Sequence, residues 1–462
     1  MAGTMASFNT ALSGLRYSQV AMDVASNNLA NVGTEGYVRR SAVAASMSTQ
    51  DVPALWSRGS GVGDGVQVAG INRIADQFLD VRARKEHGNQ TYLDTRAASL
   101  DRVEAGIGEP GPNGVAAALA EYRAAWQNLS NNPGNEAARN QVLSAAGALV
   151  DSFALQHRNV ATEEEALRGK VLVGLGEVNT LASDLARTNQ SIAEARGNGI
   201  DPATLLDQRD RIAMRLSELT GATGALRPDG GMDISIGGVA LVTGNRAATV
   251  EATTGVNPDG TGSGAVTLAV VDATGTTPLT GTSGELGALA ELLTTTLPSY
   301  RAGLDAVAQE FADEMNAAHQ AGFDQAGNPG QALFSYTPPD VVASLAVAIT
   351  DGAQVAAAAI PGGGLDGSNA DRLSLASGIE GSYQRLVGVF GTEVSSVHRL
   401  AENQRVLTQQ VDNSRESLSG VSVDEEMVNL LAAQRAYEAA SRVMTVMDSV
   451  LDTLINRTGL VR

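Results

Sequence analysis

Apolar residues recur at alternating four- and three-residue spacing in two long stretches, one at each end of the chain. This spacing predicts amphipathic helices with a narrow apolar stripe, which is typical of coiled-coil helices. In the first stretch, residues 5 to 31, the register comprises Phe8, Leu12, Leu15, Gln19, Met22, Ser26 and Leu29. In the last, residues 422 to 457, it comprises Val423, Met427, Leu430, Gln434, Tyr437, Ser441, Met444, Asp448, Leu451 and Ile455. Polar side chains therefore interrupt both stripes.

The start and the end of the C-terminal helix are marked by the sequence. Ser422 and Glu425 form a capping box, and the acidic residues from Asp424 to Glu426 complement the positive end of the helix dipole. Gly459 supplies a stop. A helix of this length spans about 50 Å, and its stripe is too long and narrow to be buried in a compact domain. It needs a partner helix, and the N-terminal helix with its matching stripe is the best candidate. The alternative is that each helix packs on its own neighbouring domain.

The N-terminal helix ends in the sequence ASNNLANVGTEGYVRR, which contains Asn27, Asn28 and Asn31. This pattern predicts a helix C-cap followed by a turn at Gly33. The amides of these asparagines are also able to bridge to a neighbouring chain.

Helical spacing dominates the middle of the chain. It predicts helices over residues 76–106, 115–129, 137–157 with a possible extension to 196, 283–319, and 371–417, and one that begins with Asp201 as N-cap and Pro202 at the first turn. Residues 41–75 predict a β-hairpin or a loop, and residues 341–349 a strand. Residues 227–284 are rich in Gly and Thr, and their alternating apolar residues predict a small inserted β module.

The fold class predicted from these elements is mainly α. We expect a discontinuous coiled-coil domain from residues 1–40 and 418–462, and an elongated α-helical bundle domain from residues 41–226 and 285–417. Residues 227–284 form the β module.

Composition narrows the function. The 462 residues carry a net charge of −19 and contain no cysteine. The acidic surface argues against nucleic-acid and anionic-membrane partners, and the lack of cysteine excludes disulfides and thiol chemistry. No apolar run approaches the length of a membrane span, and the N-terminus does not resemble a secretory signal. These features alone predict a cytoplasmic protein.

Candidate chemistry is weak throughout. The segment LLDQRDRI places Asp207 four residues before Arg211, which predicts a solvated ion pair on a helix face rather than acid–base chemistry. Asp259 lies in a turn-rich stretch without the spacing of a calcium loop, and His319 with Asp324 lacks a metal-binding pattern. The glycines from Gly59 to Gly65 lack the strand and helix of a phosphate-binding loop. We therefore predict no catalytic, cofactor or metal site.

Two terminal motifs resemble those of the axial proteins of the bacterial flagellum, which include the rod, hook and hook-associated proteins. They are SGL with SNNLANVGTEGY near the N-terminus and DEEMVNLLAAQRAYEAASRVMTVMDSVLDTLIN near the C-terminus. The internal segments GYVRR, LSNNPGNEAARNQVL, LLDQRDRI and LDAVAQEFADEMNAAHQAGFDQAGNPG are similar to those of the first hook–filament junction protein. The chain departs from that pattern after Leu333 and Phe334, where a large β-rich insertion is replaced by a short segment, so we expect a reduced outer domain.

The resemblance implies a structural axial protein, not an enzyme. Such a protein is exported unfolded through the flagellar type III channel, after a transient stay in the cytoplasm, and is secreted to the hook–filament junction. There its terminal helices polymerise. The implied partners are further copies of itself, the hook protein, the second junction protein (hook-associated protein 3), and an export chaperone on the C-terminal segment. The alternatives are a hook or other axial subunit and, more remotely, a cell-wall hydrolase.

The predicted polymer interface follows both stripes and the asparagine cluster. It comprises Phe8, Leu12, Leu15, Gln19, Met22, Ser26, Asn27, Asn28, Leu29, Asn31, Met427, Leu430, Gln434, Tyr437, Ser441, Met444, Asp448, Leu451 and Ile455. A long helix with polar layers is marginally stable alone, so we expect residues 1–37 and 420–462 to be disordered in the free monomer and to fold on assembly. The polar layers would then select the register between helices and subunits.

Overall fold

The structure, a computed structural model, describes residues 2–34, 36–47, 65–376 and 378–453. Long helices dominate these residues. The longer helices are α1 (Ala2–Ala30), α2 (Gln77–Ile107), α3 (Val115–Asn131), α4 (Glu136–Gly197), α5 (Ala203–Thr220), α7 (Leu297–Gln320), α10 (Gly378–Ser419) and α11 (Val423–Asp452). The short helices are α6 (Gly284–Glu291), α8 (Val341–Ser344) and α9 (Ser368–Ser374). The predicted mainly-α class is confirmed.

Helix α4 is the axis of the body. Its 62 residues contain no proline, Asn135 caps its first turn, and at 1.5 Å per residue it extends about 93 Å. One half of α4 forms a core with α3, α7 and the start of α10, which includes Trp126, Phe153 and Phe311. The other half forms a second core with α2, α5, α6 and the β module. A single continuous helix therefore joins both cores into one elongated body.

The β module consists of two antiparallel sheets on the second half of α4. A four-stranded sheet has the order β3 (Thr223–Leu226), β4 (Met232–Ile236), β5 (Val239–Thr243), β6 (Arg246–Ala247). A three-stranded sheet has the order β7 (Thr249–Thr254), β8 (Thr267–Asp272), β9 (Gly275–Pro278). The predicted hairpin at Gly237 and Gly238 is confirmed: both have positive φ, 56° and 85°, as a type I′ turn requires.

Side chains of α4 hold the β module by its backbone. Asn189, which is buried, accepts from the N–H of Met232 at 2.9 Å and donates to the carbonyls of Met232 and Gly244, each at 2.8 Å. Asn179 makes the same paired contacts with the N–H and the carbonyl of Val250. The side-chain amides thus form hydrogen bonds with backbone N–H and C=O groups that would otherwise need an additional strand as their partner.

Three element predictions need correction. Residues 341–349 are not one strand, because Asp305 accepts from the N–H of Val342 and the chain forms the single turn α8. Only Ala346–Val347 form a strand, β11, which pairs with β10 (Phe334–Ser335). The helix predicted from residue 371 is two helices, α9 and α10. Helix α5 begins one residue later than predicted, so that Pro202 takes the N-cap position, although Oδ1 of Asp201 still accepts from the N–H of Ala203 at 3.0 Å.

The two chain ends form a terminal unit outside this body. It contains α1, α11 and a two-stranded antiparallel hairpin of β1 (Arg40–Ser46) and β2 (Val66–Arg73), which packs on α1. Within the described residues, no helix is both long and apolar enough to cross a bilayer.

Candidate functional site

Helices α1 and α11 pack against each other in antiparallel orientation. A Cβ placed on Gly14 would lie 4.0 Å from that of Ala440, and Asn28 contacts Glu426 near the other end of the pair. The predicted partnership of the two terminal helices is therefore confirmed within one chain. It brings residues about 400 positions apart into direct contact.

Asn28 is the centre of this contact and is fully buried. Its Nδ2 donates to the carbonyl of Arg40 at 2.8 Å and to Oε2 of Glu426 at 3.0 Å. Its Oδ1 accepts from the N–H of Arg40 at 3.1 Å and from the hydroxyl of Tyr37 at 2.8 Å. All four hydrogen-bonding positions of the amide are thus occupied. Asn28 joins the end of α1, the start of β1 and the start of α11.

Glu426 is 3 % exposed, which requires that its charge be compensated. Nε of Arg39 donates to its Oε1 at 2.8 Å, and Asn28 donates to its other oxygen. Nη1 of the same arginine reaches Glu425 at 2.8 Å. Ser422 caps α11 as predicted, accepting from the N–H of Glu425. The side chain of Glu425 binds Arg39 instead of returning to the cap, so the capping box is only half formed.

Tyr37 closes the outer side of this site. Its hydroxyl lies 3.2 Å from Oδ1 of the exposed Asn27, and its ring lies under the guanidinium of Arg40, 5.1 Å from the ring centroid. Burial raises the pKa of Tyr37, since the phenolate would lose its hydration there. The phenol therefore remains a hydrogen-bond donor near neutral pH, which the contact with Asn28 requires.

The asparagine cluster of the sequence thus has two roles. Nδ2 of Asn31 donates to the carbonyl of Asn27, and this hydrogen bond caps the C-terminus of α1 as predicted. Asn28 instead holds distant segments together. The acidic start of α11 and the pair Arg39–Arg40 after the motif are the partners that sequence reasoning missed. The sequence did contain a signal for this contact. Two arginines follow α1 and three acidic residues begin α11, so the two segments carry opposite charge.

The stripe that faces the partner helix differs from the predicted one at the polar positions, where it lies one residue earlier. The exposed polar members are Gln19, Ser26, Gln434, Ser441 and Asp448. The positions one residue earlier face inward and are mostly small: Ala11, Ser18 and Ala25 on α1 are buried, and Ala433, Ala440 and Met447 on α11 are half-buried. Small side chains let two helix backbones approach closely. The polar layers are therefore not internal to this helix pair, which corrects the predicted seam.

The remaining predicted positions divide by exposure. Half-buried are Phe8, Leu12, Leu15, Met22, Leu29, Asn31, Leu430, Met444 and Leu451. Exposed are Asn27, Met427 and Tyr437, and Ile455 lies outside the described residues. Between α1, β1 and α11 lies a cleft of about 360 Å³, whose floor is formed by Ala21, Ala25, Ala433 and Ala436.

Helix α11 is largely unburied. Of its 30 residues only Glu426 is fully buried. Its exposed large apolar residues are Val423, Met427, Val428, Leu431, Tyr437, Val443, Val446 and Val450. Surface of this kind marks an interaction site in a soluble protein.

The other sequence candidates have local structural roles. Asp259 accepts from both the N–H and the hydroxyl of Thr261, and these hydrogen bonds lower the pKa of its carboxyl group. His319 is fully buried, with Nδ1 donating to the carbonyl of Gln331 at 2.6 Å and Nε2 accepting from the N–H of Ala356 at 2.8 Å. Both nitrogens are occupied, and no cluster able to hold a metal ion occurs among the described residues.

The prediction for LLDQRDRI was wrong. Asp207 is 6 % exposed and does not pair with Arg211. It binds Arg40 and Arg73 of the hairpin, at 2.9 Å and 2.7 Å. The spacing along α5 could not reveal partners that lie more than 130 residues away.

Comparison with known families matches three parts of the chain. Residues 100–334 match the flagellar hook-associated protein FlgK helical domain. Residues 8–37 match the flagella basal body rod protein family, and residues 414–457 the flagellar basal body rod FlgEFG protein C-terminal family.

Similar proteins and structures come from several bacteria. Flagellar hook-associated protein 1 of Bacillus subtilis is 28% identical, covering 100% of this chain and 99% of that protein. The Escherichia coli protein of the same name is 23% identical over 97% of this chain and 99% of its own length. The structure of the flagellar hook junction protein FlgK from Burkholderia pseudomallei has a TM-score of 0.65 at 16% identity, and the match covers 73% of this chain and 100% of that one. The fold is therefore shared.

Proposed function

The chain belongs to the family of flagellar hook-associated proteins that is defined by the FlgK helical domain, and we propose that it joins the hook to the filament of the bacterial flagellum. Its family matches make it a structural component of the flagellum and not an enzyme. The observation that supports a joining role is the terminal unit: both chain ends meet in one antiparallel helix pair that leaves most of α11 uncovered.

The uncovered face of α11 suits contact with further copies of this chain. It carries a second four-three register, formed by Ala432, Ala436, Ala439, Val443, Val446 and Val450. All six of these residues are exposed, and Ala436 also borders the alanine-lined cleft. A helix that uses one face for α1 and another for a neighbouring helix fits a tube of stacked terminal helices.

The predicted interface residues keep their place in this proposal, with their roles divided. The half-buried apolar positions, such as Leu430 and Met444, contribute to the pair within one subunit. The outward polar positions, Gln19, Ser26, Gln434, Ser441 and Asp448, contact neighbouring subunits and select their register. At Asn27 and Asn31 we propose contacts of the same kind.

The finer partners follow from the position of such a protein. We propose that the hook protein contacts one side of the assembled ring and the second junction protein, hook-associated protein 3, the other. Before export, a chaperone would cover the C-terminal segment, whose exposed apolar residues would otherwise promote aggregation. The helical domain predicted for residues 41–226 and 285–417 would form the next shell, apart from the β1–β2 hairpin that packs on α1, and the β module of residues 227–284 would face outward.

Export through a narrow channel requires an unfolded or readily unfolded chain. The thin burial of α11 supports terminal segments that are disordered in the free monomer and fold on assembly. Amide hydrogen exchange on dilute monomer should be fast across residues 2–30 and 423–452. Slow exchange across both helices would contradict this part of the proposal.

A deletion strain tests the joining role directly. We expect such cells to make hooks without filaments and to shed filament protein into the medium, and the intact chain to restore filaments. A chain with Val443, Val446 and Val450 changed to Gln should not restore them, whereas Val173→Gln, at an exposed position on α4, should. Loss of the hooks themselves would instead favour a hook or other axial subunit.

A further inference from the structure

The β1–β2 hairpin contains an unfavourable pair that only the body of the protein corrects. Arg40 and Arg73 lie directly opposite each other in the first rung of the antiparallel register. Like charges in such cross-strand positions repel and destabilise the pairing. The hairpin on its own would therefore tend to open at the end where it joins α2.

Asp207 of α5 lies between these two arginines. Its Oδ2 accepts from Nη2 of Arg40 at 2.9 Å, and its Oδ1 accepts from Nε of Arg73 at 2.8 Å. The side chains of the three residues are only 8–15 % exposed, so water screens the charges weakly. One carboxylate thus converts the repulsion of the rung into two ion pairs.

Neighbouring groups hold Asp207 and its partners in place. Nη2 of Arg73 also reaches Asp210 at 2.9 Å, and Asp210 in turn pairs with Arg209. Arg209 is itself buried and donates to the carbonyl of Gly230. This ion cluster connects the hairpin, α5 and the start of the β module. Its three arginines outnumber its two aspartates, so the loss of one carboxylate would leave positive charge without a partner.

The hairpin in turn supports the terminal helices. The carbonyl of Ala42 accepts from the hydroxyl of Tyr17, and the N–H of Val66 donates to Oγ of Ser13. Asn28 binds both backbone groups of Arg40. A path of direct contacts therefore runs from α5 through the first rung to the site where α1 meets α11.

We propose that Asp207 couples closure of the β1–β2 hairpin to its docking on the helical body. The hairpin then stays ordered in the free chain and serves as the template on which α1 and α11 fold. This coupling is a property of the single chain, and it holds or fails independently of the role at the hook–filament junction.

Hydrogen exchange measured by mass spectrometry on the full-length monomer tests the coupling. In the parent chain, amides of residues 40–46 and 66–73 should exchange at least tenfold more slowly than those of α1. Asp207→Asn should remove most of this protection, because two buried arginines then face each other. Strands β4 and β5 of the same molecule serve as the internal reference for an intact body, and Asp184→Asn, in an exposed pair with Arg187, is the matched control.

A second variant separates this mechanism from simple loss of a contact. Adding Arg40→Gln to Asp207→Asn removes the repulsion and should restore at least part of the protection. The proposal is overturned if the hairpin of the parent chain exchanges as fast as α1, or if Asp207→Asn leaves its exchange unchanged. It is also overturned if the double variant is less protected than Asp207→Asn alone.

Discussion

Nδ2 of Asn28 lies 3.0 Å from Oε2 of Glu426, and this buried hydrogen bond joins two helices that are 398 residues apart in sequence. Most of the other side chains between α1 and α11 are small or half-buried apolar residues, which do not bind each other by directional contacts. The strength of the helix pair should therefore depend strongly on these two residues.

Asn28→Ala should weaken the pair by on the order of 2–4 kcal/mol, because it removes the hydrogen-bond donor to Oε2 of Glu426 and leaves both backbone groups of Arg40 without their partner. The melting of the body should not change. We expect flagella of a strain with this variant to lose their filaments at lower temperature than the parent. Asn9→Ala, at an exposed position of α1 outside the proposed interface, is the control, and equal loss in both variants would contradict a special role for Asn28.

The one-residue displacement of the buried stripe predicts opposite effects at adjacent positions. Gln434→Leu with Ser441→Leu should leave the folding of the monomer within about 0.5 kcal/mol of the parent, because both residues are exposed. Assembly should suffer, since the polar contacts between subunits are lost. Counting cells with attached filaments measures it, and normal filaments would show that these residues do not select register.

Ala433→Leu with Ala440→Leu should act within the subunit. Larger side chains at the close approach of α11 to α1 would force the helices apart, at a cost of about 1–3 kcal/mol. We expect crosslinking between cysteines introduced at positions 7 and 447 in assembled flagella to decrease. Unchanged crosslinking would mean that the pair has more space than the 4.0 Å contact at Gly14 indicates.

His319 should make the body less stable in mild acid. Burial lowers its pKa, because the imidazolium would lose hydration and Nε2 would meet the N–H of Ala356. Below the ordinary pKa of about 6.5 the unfolded chain binds a proton that the folded chain does not, so stability falls as the pH decreases. The effect approaches ~1.4 kcal/mol for each unit of pKa lowering.

Denaturant unfolding of purified protein at pH 8 and pH 5.5 measures this effect. His319→Gln should be less stable than the parent at pH 8 but should lose less stability on acidification. His157, whose pKa is also lowered by burial and by Arg301, is present in both proteins and cancels from the comparison.

Asn189→Ala should loosen the β module. The N–H and carbonyl of Met232 and the carbonyl of Gly244 would lose their partner in a buried place, which costs on the order of 2–4 kcal/mol. Exchange of amides in β4 and β5 should accelerate while α3 and α7 remain protected. Gln190→Ala, at an exposed neighbour whose side chain donates to Glu194, should change neither.

Local patterns predicted the elements well where a single period dominates. The long helices from α1 to α11 follow from apolar spacing, and the β4–β5 hairpin follows from alternation around Gly237 and Gly238. The prediction of a strand at residues 341–349 was wrong, because an apolar run without polar alternation does not distinguish a strand from a turn. Here Asp305 of α7 accepts from the N–H of Val342 and stabilises the turn. The pattern of a segment does not include the groups that tertiary structure places beside it.

The sequence by itself determined that the two chain ends are long helices and that their apolar stripes suit each other. The tertiary structure decided which faces meet and which side chains hold them. Apolar spacing marks the largest residues, whereas close antiparallel packing also requires small ones, so the buried stripe uses mostly small residues one position before the predicted polar members. Asn28 and Asp207 acquire their roles only from partners far along the chain, because burial of a charge or an amide depends on what the whole fold brings to it.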